Sequence, residues 1–206
     1  IFSILVITFF VNAYNLIDGL DSLSSSLGIY VMICFTAIFL WNGIIIESML
    51  AFSAIGALFG FWIYNKPPAK IFMGDSGSLS MGLLLAVFAV RISCIPIDAE
   101  GTISPVFSMV VLAYPVIDTL RVFVVRIYNG KSPFSPDRNH IHHALLDLGL
   151  SHGKSTVLIV LFSLSFSVIA YILRTNLSLS FIILVPLIIF VSQTPYFLLN
   201  KRKKQK

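Results

Sequence analysis

Asn12-Ala13-Tyr14-Asn15-Leu16-Ile17-Asp18-Gly19-Leu20-Asp21 lies between two long apolar stretches. It sets two amides and two carboxylates against segments of membrane length. An unpaired carboxylate near hydrocarbon is costly, so these side chains need a metal, a base or a substrate dipole as partner. Asp18 and Asp21 are spaced i,i+3, as are Asn12 and Asn15. In a helix each pair shares a face. Gly19 between the carboxylates suits a turn or a close approach of backbone to ligand.

The flanking segments set the fold class. The chain is 57% hydrophobic and only 11% charged, against about 25% charged in soluble domains. Its apolar runs last about 17–25 residues, a length that spells membrane helices and not barrel strands. Reading outward gives the end of a span at Ile1–Val11, then Leu23–Leu40 with Trp41 as an interfacial anchor, and Ser48–Tyr64, closed by Asn65-Lys66-Pro67-Pro68. Leu79–Val90, Pro105–Val125, Thr156–Leu173 and Leu179–Leu199 follow, the last with Pro186 and Pro195 inside it. The expectation is an all-α polytopic membrane protein with about seven transmembrane helices, forming one transmembrane catalytic domain over residues 1–200 and a basic cytoplasmic tail over 201–206. Because Ile1 opens inside an apolar run, further helices are expected upstream. Cys34 and Cys94 lie in or beside apolar stretches, which speaks against a disulfide framework.

Alternating the spans puts Asn12–Asp21, Lys66–Ser78 and Asn129–Lys154 on one side. That side collects all the Lys and Arg residues except Arg91 and Arg174, so the positive-inside rule makes it cytoplasmic. The basic tail fits anionic lipid headgroups and calls for no nucleic acid. The expected location is the bacterial cytoplasmic (inner) membrane, multi-pass, with the site facing the cytoplasm.

Two further clusters fall on that side. Gly74-Asp75-Ser76-Gly77-Ser78 opens the fourth span. Its amides suit an oxyanion at a helix start, and Asp75 suits a hard cation such as Mg²⁺; an ordinary helix cap is the plainer alternative. Ser132-Pro133-Phe134-Ser135-Pro136-Asp137-Arg138-Asn139-His140-Ile141-His142-His143 holds three histidines and an arginine. It suits phosphate or pyrophosphate better than zinc, since no Cys and no HExxH accompany it; a basic loop resting on headgroups is the alternative. Asp118 and Arg121, i,i+3 within the fifth span, read as a structural ion pair. Acidic residues, a divalent cation and basic groups together are the usual parts of phosphoryl chemistry.

These three stretches, in this order, resemble the polyprenyl-phosphate N-acetylhexosamine-1-phosphate transferases, glycosyltransferase family 4. The resemblance covers essentially the whole chain. It implies transfer of a sugar 1-phosphate from a UDP-N-acetylhexosamine, UDP-GlcNAc foremost, to undecaprenyl phosphate. UMP would be released and Mg²⁺ or Mn²⁺ required, as the first membrane step of O-antigen, common-antigen or cell-wall glycopolymer synthesis. It further implies catalytic roles for Asp18, Asp21 and His140. Nucleotide-sugar and phosphate handling would fall to Asn12, Asn15, Arg138, His142 and His143, and metal ligation to Asp75 with Asp18. Membrane lipids and a second copy of the chain, as a homodimer, are the remaining partners the sequence admits.

Departures from the family pattern are Ser22 and Ser26, where members often carry Gly, and the lack of a paired-aspartate motif expected upstream. Attack by the lipid phosphate on the β-phosphorus and a covalent aspartyl-phosphate route both fit these residues. A transporter or flippase would want ionisable residues within its spans, and only Asp118 and Arg121 approach that. A kinase would want a G-x-x-x-x-G-K loop, which is absent from the sequence.

Overall fold

The structure is a computed structural model that describes residues 2–95, 105–133, 135, 139–174 and 176–204. Pro136, Asp137 and Arg138 of the histidine motif lie outside the described residues, so Arg138 has no structural account. The chain is all helical there: α1 Phe2–Leu16, α2 Leu23–Trp41, α3 Ile45–Asn65, α4 Gly74–Ser93, α5 Pro105–Val111, α6 Ala113–Tyr128, α7 Ile141–Asp147, α8 His152–Ile172, α9 Leu177–Ser192 and α10 Thr194–Lys204.

Five stretches among the described residues are long and apolar enough to cross a membrane: Leu23–Trp41, Ile45–Asn65, Gly74–Ser93, His152–Ile172 and Ser178–Arg202. The expected seven is corrected to five. The described part of the first apolar helix, Ser3–Leu16, is shorter than these five. The stretch expected as a fifth span is two helices that divide at Leu112. Pro115, in the first turn of α6, cannot donate the N–H that the Val111 carbonyl would accept, so α5 ends there. Pro195 withholds the same bond from Val191, and the last apolar run divides into α9 and α10 at Gln193.

α2 is the most buried of these five long apolar helices. It packs along α3 and α4, while α1 lies against α4 and α6. Hydrocarbon gives helices little hydrophobic reason to associate, so close contact and buried hydrogen bonds hold them together. Gly82 of α4 faces α1 so closely that a Cβ would sit 3.0 Å from Val11 Cα. Tyr30 of α2 donates to the Ser163 carbonyl of α8 at 3.1 Å and shares a short hydrogen bond with Ser167.

The connections 17–22 and 66–73, the described residues of 129–151 and the C-terminal end of α10 gather at one end of the bundle. Asp21 meets Ala69 and Thr156 there, and Arg202 meets Leu148. At the opposite end, Glu47 in the first turn of α3 and Arg91 in the last turn of α4 pair with each other at 3.0 Å.

Candidate active site

α1 ends at Leu16 and residues 17–22 form a turn, so the two carboxylates leave in different directions. Asp18 turns toward the start of α4. It accepts a short hydrogen bond from the Ser24 hydroxyl and another from the Gly74 backbone. Gly74 has φ +65°, a conformation that favours glycine, and it turns the chain into α4 with Asp75 in the first turn. Burial raises the Asp18 pKa above the usual carboxylate range, the Ser24 and Gly74 hydrogen bonds oppose that rise, and the nearby Asp75 charge adds to it.

Asn15 joins the first two motifs. Its Nδ2 donates to Asp75 Oδ1 at 3.0 Å and to Ser78 Oγ at 2.7 Å. Asn12, one turn earlier, is exposed and donates back to the Thr8 carbonyl of its own helix at 2.7 Å. The structure therefore brings Asn15, Asp18 and Asp75 together, while the Asn12 amide stays on α1.

Asp21 faces a separate junction. Its Oδ2 accepts from the Ala69 N–H at 3.3 Å and lies 3.3 Å from His152 Nδ1 at the start of α8. Its carbonyl accepts from Thr156 Oγ1 at 3.2 Å. Ser22, next in line, has φ +64°. That strained left-handed value accounts for the glycine the family often carries there. Ser26 has its own use, because its hydroxyl accepts the Trp62 indole N–H at 3.0 Å.

The histidine motif is seated from α6. Asp118, fully buried, accepts from the Ile141 N–H at 2.8 Å and holds His140 Nδ1 at 2.9 Å. The expected Asp118–Arg121 ion pair is corrected. Arg121 instead donates to Gln193 Oε1 at 3.0 Å and to the Asn139 carbonyl at 2.7 Å, and it stacks on the Tyr196 ring. Tyr196 Oη donates to that same carbonyl at 2.8 Å. Both side chains thus support the loop and leave neither ionisable group stranded in a span.

His142, 1% exposed, has Nδ1 3.5 Å from the Tyr114 hydroxyl and 3.9 Å from Asp118 Oδ2. Burial above all pushes its pKa down to about 3, with His143 and His140 adding to the drop and Asp118 opposing it. The ring is therefore neutral at neutral pH. A Cβ on Gly19 would sit 3.3 Å from His142 Nε2, so the histidine motif touches the turn that carries Asp18. His143, half-buried, has its ring centroid 4.4 Å from that of His142.

Sequence reasoning passed over Asn65, which is 3% exposed. Its Oδ1 accepts from the Ser22 N–H and the Ser25 hydroxyl, both at 3.0 Å, and its Nδ2 donates to the Ile71 carbonyl at 2.9 Å. Its one signal in the sequence is an amide at the last position of an apolar run. Ser24, Tyr114 and His152 gave no signal of their own.

Among the described residues, no group of three or more His, Cys, Asp or Glu side chains is arranged to hold a metal ion. Mg²⁺ needs less, because it commonly takes one or two carboxylates and completes its shell with water and substrate phosphates. Asp75 with Asp18 is an oxygen-only donor set of that size, and the charge repulsion between them is what a cation would relieve.

The profile of glycosyl transferase family 4 matches residues 1–93, which include both the Asn12–Asp21 and the Gly74–Ser78 motifs. The chain is 37% identical over 182 residues to the probable undecaprenyl-phosphate N-acetylglucosaminyl 1-phosphate transferase of Bacillus subtilis (strain 168), a match covering 87% of this chain and 50% of that protein. Residues 1–93 belong to glycosyl transferase family 4. Other members it matches are the decaprenyl-phosphate N-acetylglucosaminephosphotransferase of Mycolicibacterium smegmatis, 38% identical over 73% of this chain and 41% of that one, and the undecaprenyl-phosphate alpha-N-acetylglucosaminyl 1-phosphate transferase of Thermotoga maritima, 33% identical over 77% of this chain and 47% of that one. The chain spans about half the length of these family members. Its apolar helices and its bacterial relatives agree on a multi-pass membrane protein.

Proposed function

We propose that the protein transfers N-acetylhexosamine 1-phosphate from a UDP-sugar, UDP-GlcNAc foremost, to undecaprenyl phosphate and releases UMP. The observation that carries this reading is the Asn15 amide, which spans Asp75 and Ser78 while Asp18 accepts from Gly74. Two acidic groups from separate motifs thus share one small volume at the bundle end, with His142 against the same turn. The relatives' names supply the sugar and the lipid, and the site supplies groups suited to their phosphates.

In this reading a lipid phosphate oxygen forms a bond to the β-phosphorus of the UDP-sugar as the bond from that phosphorus to the UMP oxygen breaks. Asp75 and Asp18 would hold Mg²⁺, or Mn²⁺ in its place, which when bound offsets charge on the phosphates. Asn15 fixes the Asp75 carboxylate, and Ser24 fixes Asp18. Asp118 orients His140 toward phosphate handling. Neutral His142 supports the Asp18 turn through Gly19, with His143 beside it. Asn12 and Arg138 are assigned to the nucleotide sugar on the family pattern alone. Asp21 completes the acidic set in that pattern, and here it ties the turn to α8. The charge bias of the connections supports a site facing the cytoplasm at the inner membrane. The homodimer draws no support from the described residues.

The test uses the full-length protein in membranes with undecaprenyl phosphate, Mg²⁺ and a panel of UDP-sugars, with UMP release as the readout. Asp75→Asn is expected to abolish turnover while the protein stays folded. Wild-type UMP release from that variant would remove Asp75 from the mechanism, and release with no UDP-sugar would end the transferase reading.

A further inference from the structure

The apolar cavity among α7, α8, α9 and α10 has no part in the reading above. It measures about 310 Å³, and Tyr114, Ile141, Leu145, Phe162 and Pro195 are among the residues that wall it. A second hollow of about 350 Å³ continues it along α8, because Leu150 and Leu158 line both. Val157 and Leu161, which also line the second hollow, are exposed on α8. Together the two form a groove running from the interior of the bundle to a helix face that meets hydrocarbon. An apolar space of this kind does not hold water, which needs two to four polar partners. In a bilayer the available filler is an aliphatic chain.

The polar end of the groove is basic. Lys154 lines the second hollow and is exposed. Arg202 is exposed, and its Nη1 donates to the carbonyl of Leu148, a cavity-wall residue, at 2.8 Å. The guanidinium has further donors to give. Lys201 stands beside it, also exposed. Among the described residues no Asp or Glu lines either hollow, and Asp147, next to Leu148, is the nearest acidic residue in the sequence.

We propose that this groove binds an anionic glycerophospholipid, with one acyl chain in the cavity and the phosphate between Lys154 and Arg202. Such a lipid is distinct from the acceptor substrate, because α7 stands between the groove and the acidic turn. Ile141 and Leu145 face the groove, whereas His142 Nε2 faces Gly19. A chain packed on Ile141 and Leu145 holds α7, and with it the histidine motif, in place. The proposal requires the membrane setting and does not depend on the transferase reading.

The test is photolabelling of the full-length protein in nanodiscs. Phosphatidylglycerol carrying a diazirine on its acyl chain is compared with phosphatidylcholine carrying the same chain. Phosphatidylglycerol is expected to label the segments around Leu158–Phe162 and Pro195–Leu198 severalfold more strongly. The double variant Lys154→Gln, Arg202→Gln is expected to bring that yield down to the phosphatidylcholine level. Leu158→Trp, which fills the groove from a half-exposed position, is expected to lower labelling with no fall in Tm. Equal yields from the two lipids would overturn the proposal, as would yields unchanged in the double variant. Stoichiometric competition by undecaprenyl phosphate would reassign the groove to the acceptor. Absence of label from both segments would show that another part of the protein covers it.

Discussion

At the scale of single residues, Asp18 shows how three neighbours set one acidity. Burial and the Asp75 charge work against its ionised form, while the Ser24 hydroxyl works for it. Ser24→Ala removes a donor that favours the carboxylate, so the Asp18 pKa moves further up. If ionised Asp18 is required for turnover, the acid limb of the UMP-release profile shifts to higher pH in this variant, while the rate on the plateau changes less. An acid limb that stays in place would mean that some other group governs it. His142 shows the reverse sign. Its pKa is depressed from 6.5 to about 3 in the fold, so the unfolded chain takes the proton first. Its contribution to stability is complete above about pH 6.5 and is lost as pH falls toward about 3. Melting temperatures measured from pH 7 to pH 4 are expected to fall less steeply in His142→Gln than in the wild type.

At the scale of elements, two contacts fix where the motifs meet. α1 and α4 approach so closely at Gly82 that an added methyl would press on the backbone of Val11, which has little room to give. Gly82→Ala is expected to separate the Asn15 amide from Asp75 and Ser78. The readouts are a Tm lower than wild type and a lost or sharply reduced kcat, against Gly60→Ala as a control, where a Cβ meets nothing within 4 Å. At the other side of the site, α6 and α10 both grip the carbonyl of Asn139. Tyr196→Phe keeps the ring beneath Arg121 and removes only the hydroxyl. A neutral hydrogen bond of this kind contributes about 1 kcal/mol, so a few-fold loss of kcat/KM is expected. If the loop serves the donor sugar, the loss falls on KM for the UDP-sugar and leaves KM for the lipid unchanged.

At the scale of the whole molecule, much of this arrangement was legible beforehand. Apolar run length gave the helices, and alternation with the charge bias brought the three motifs to one end. The misreadings have physical causes. Hydropathy over Pro105–Val125 cannot register that Pro115 leaves the Val111 carbonyl without its donor, so one span was expected where two helices stand. The i,i+3 spacing of Asp118 and Arg121 is a local argument, but the fold supplies partners 22 and 18 residues away, beyond what spacing can see. Asp18 and Asp21 would share a helical face only if the helix ran on, and it stops at Leu16. Asn65 and His152 were missed because their use depends on loops that meet only after folding.

The turn at residues 18–22 has one more consequence. Thr156 donates to the Asp21 carbonyl across 135 positions of chain, and Ser22 meets the same threonine across 134. During synthesis at roughly 5–20 residues per second, the acidic turn waits on the order of ten seconds for that partner to emerge. Until then the Asp21 carbonyl and the Ser22 hydroxyl stand without that partner, a window in which a nascent chain is open to capture by insertion machinery or quality-control proteases.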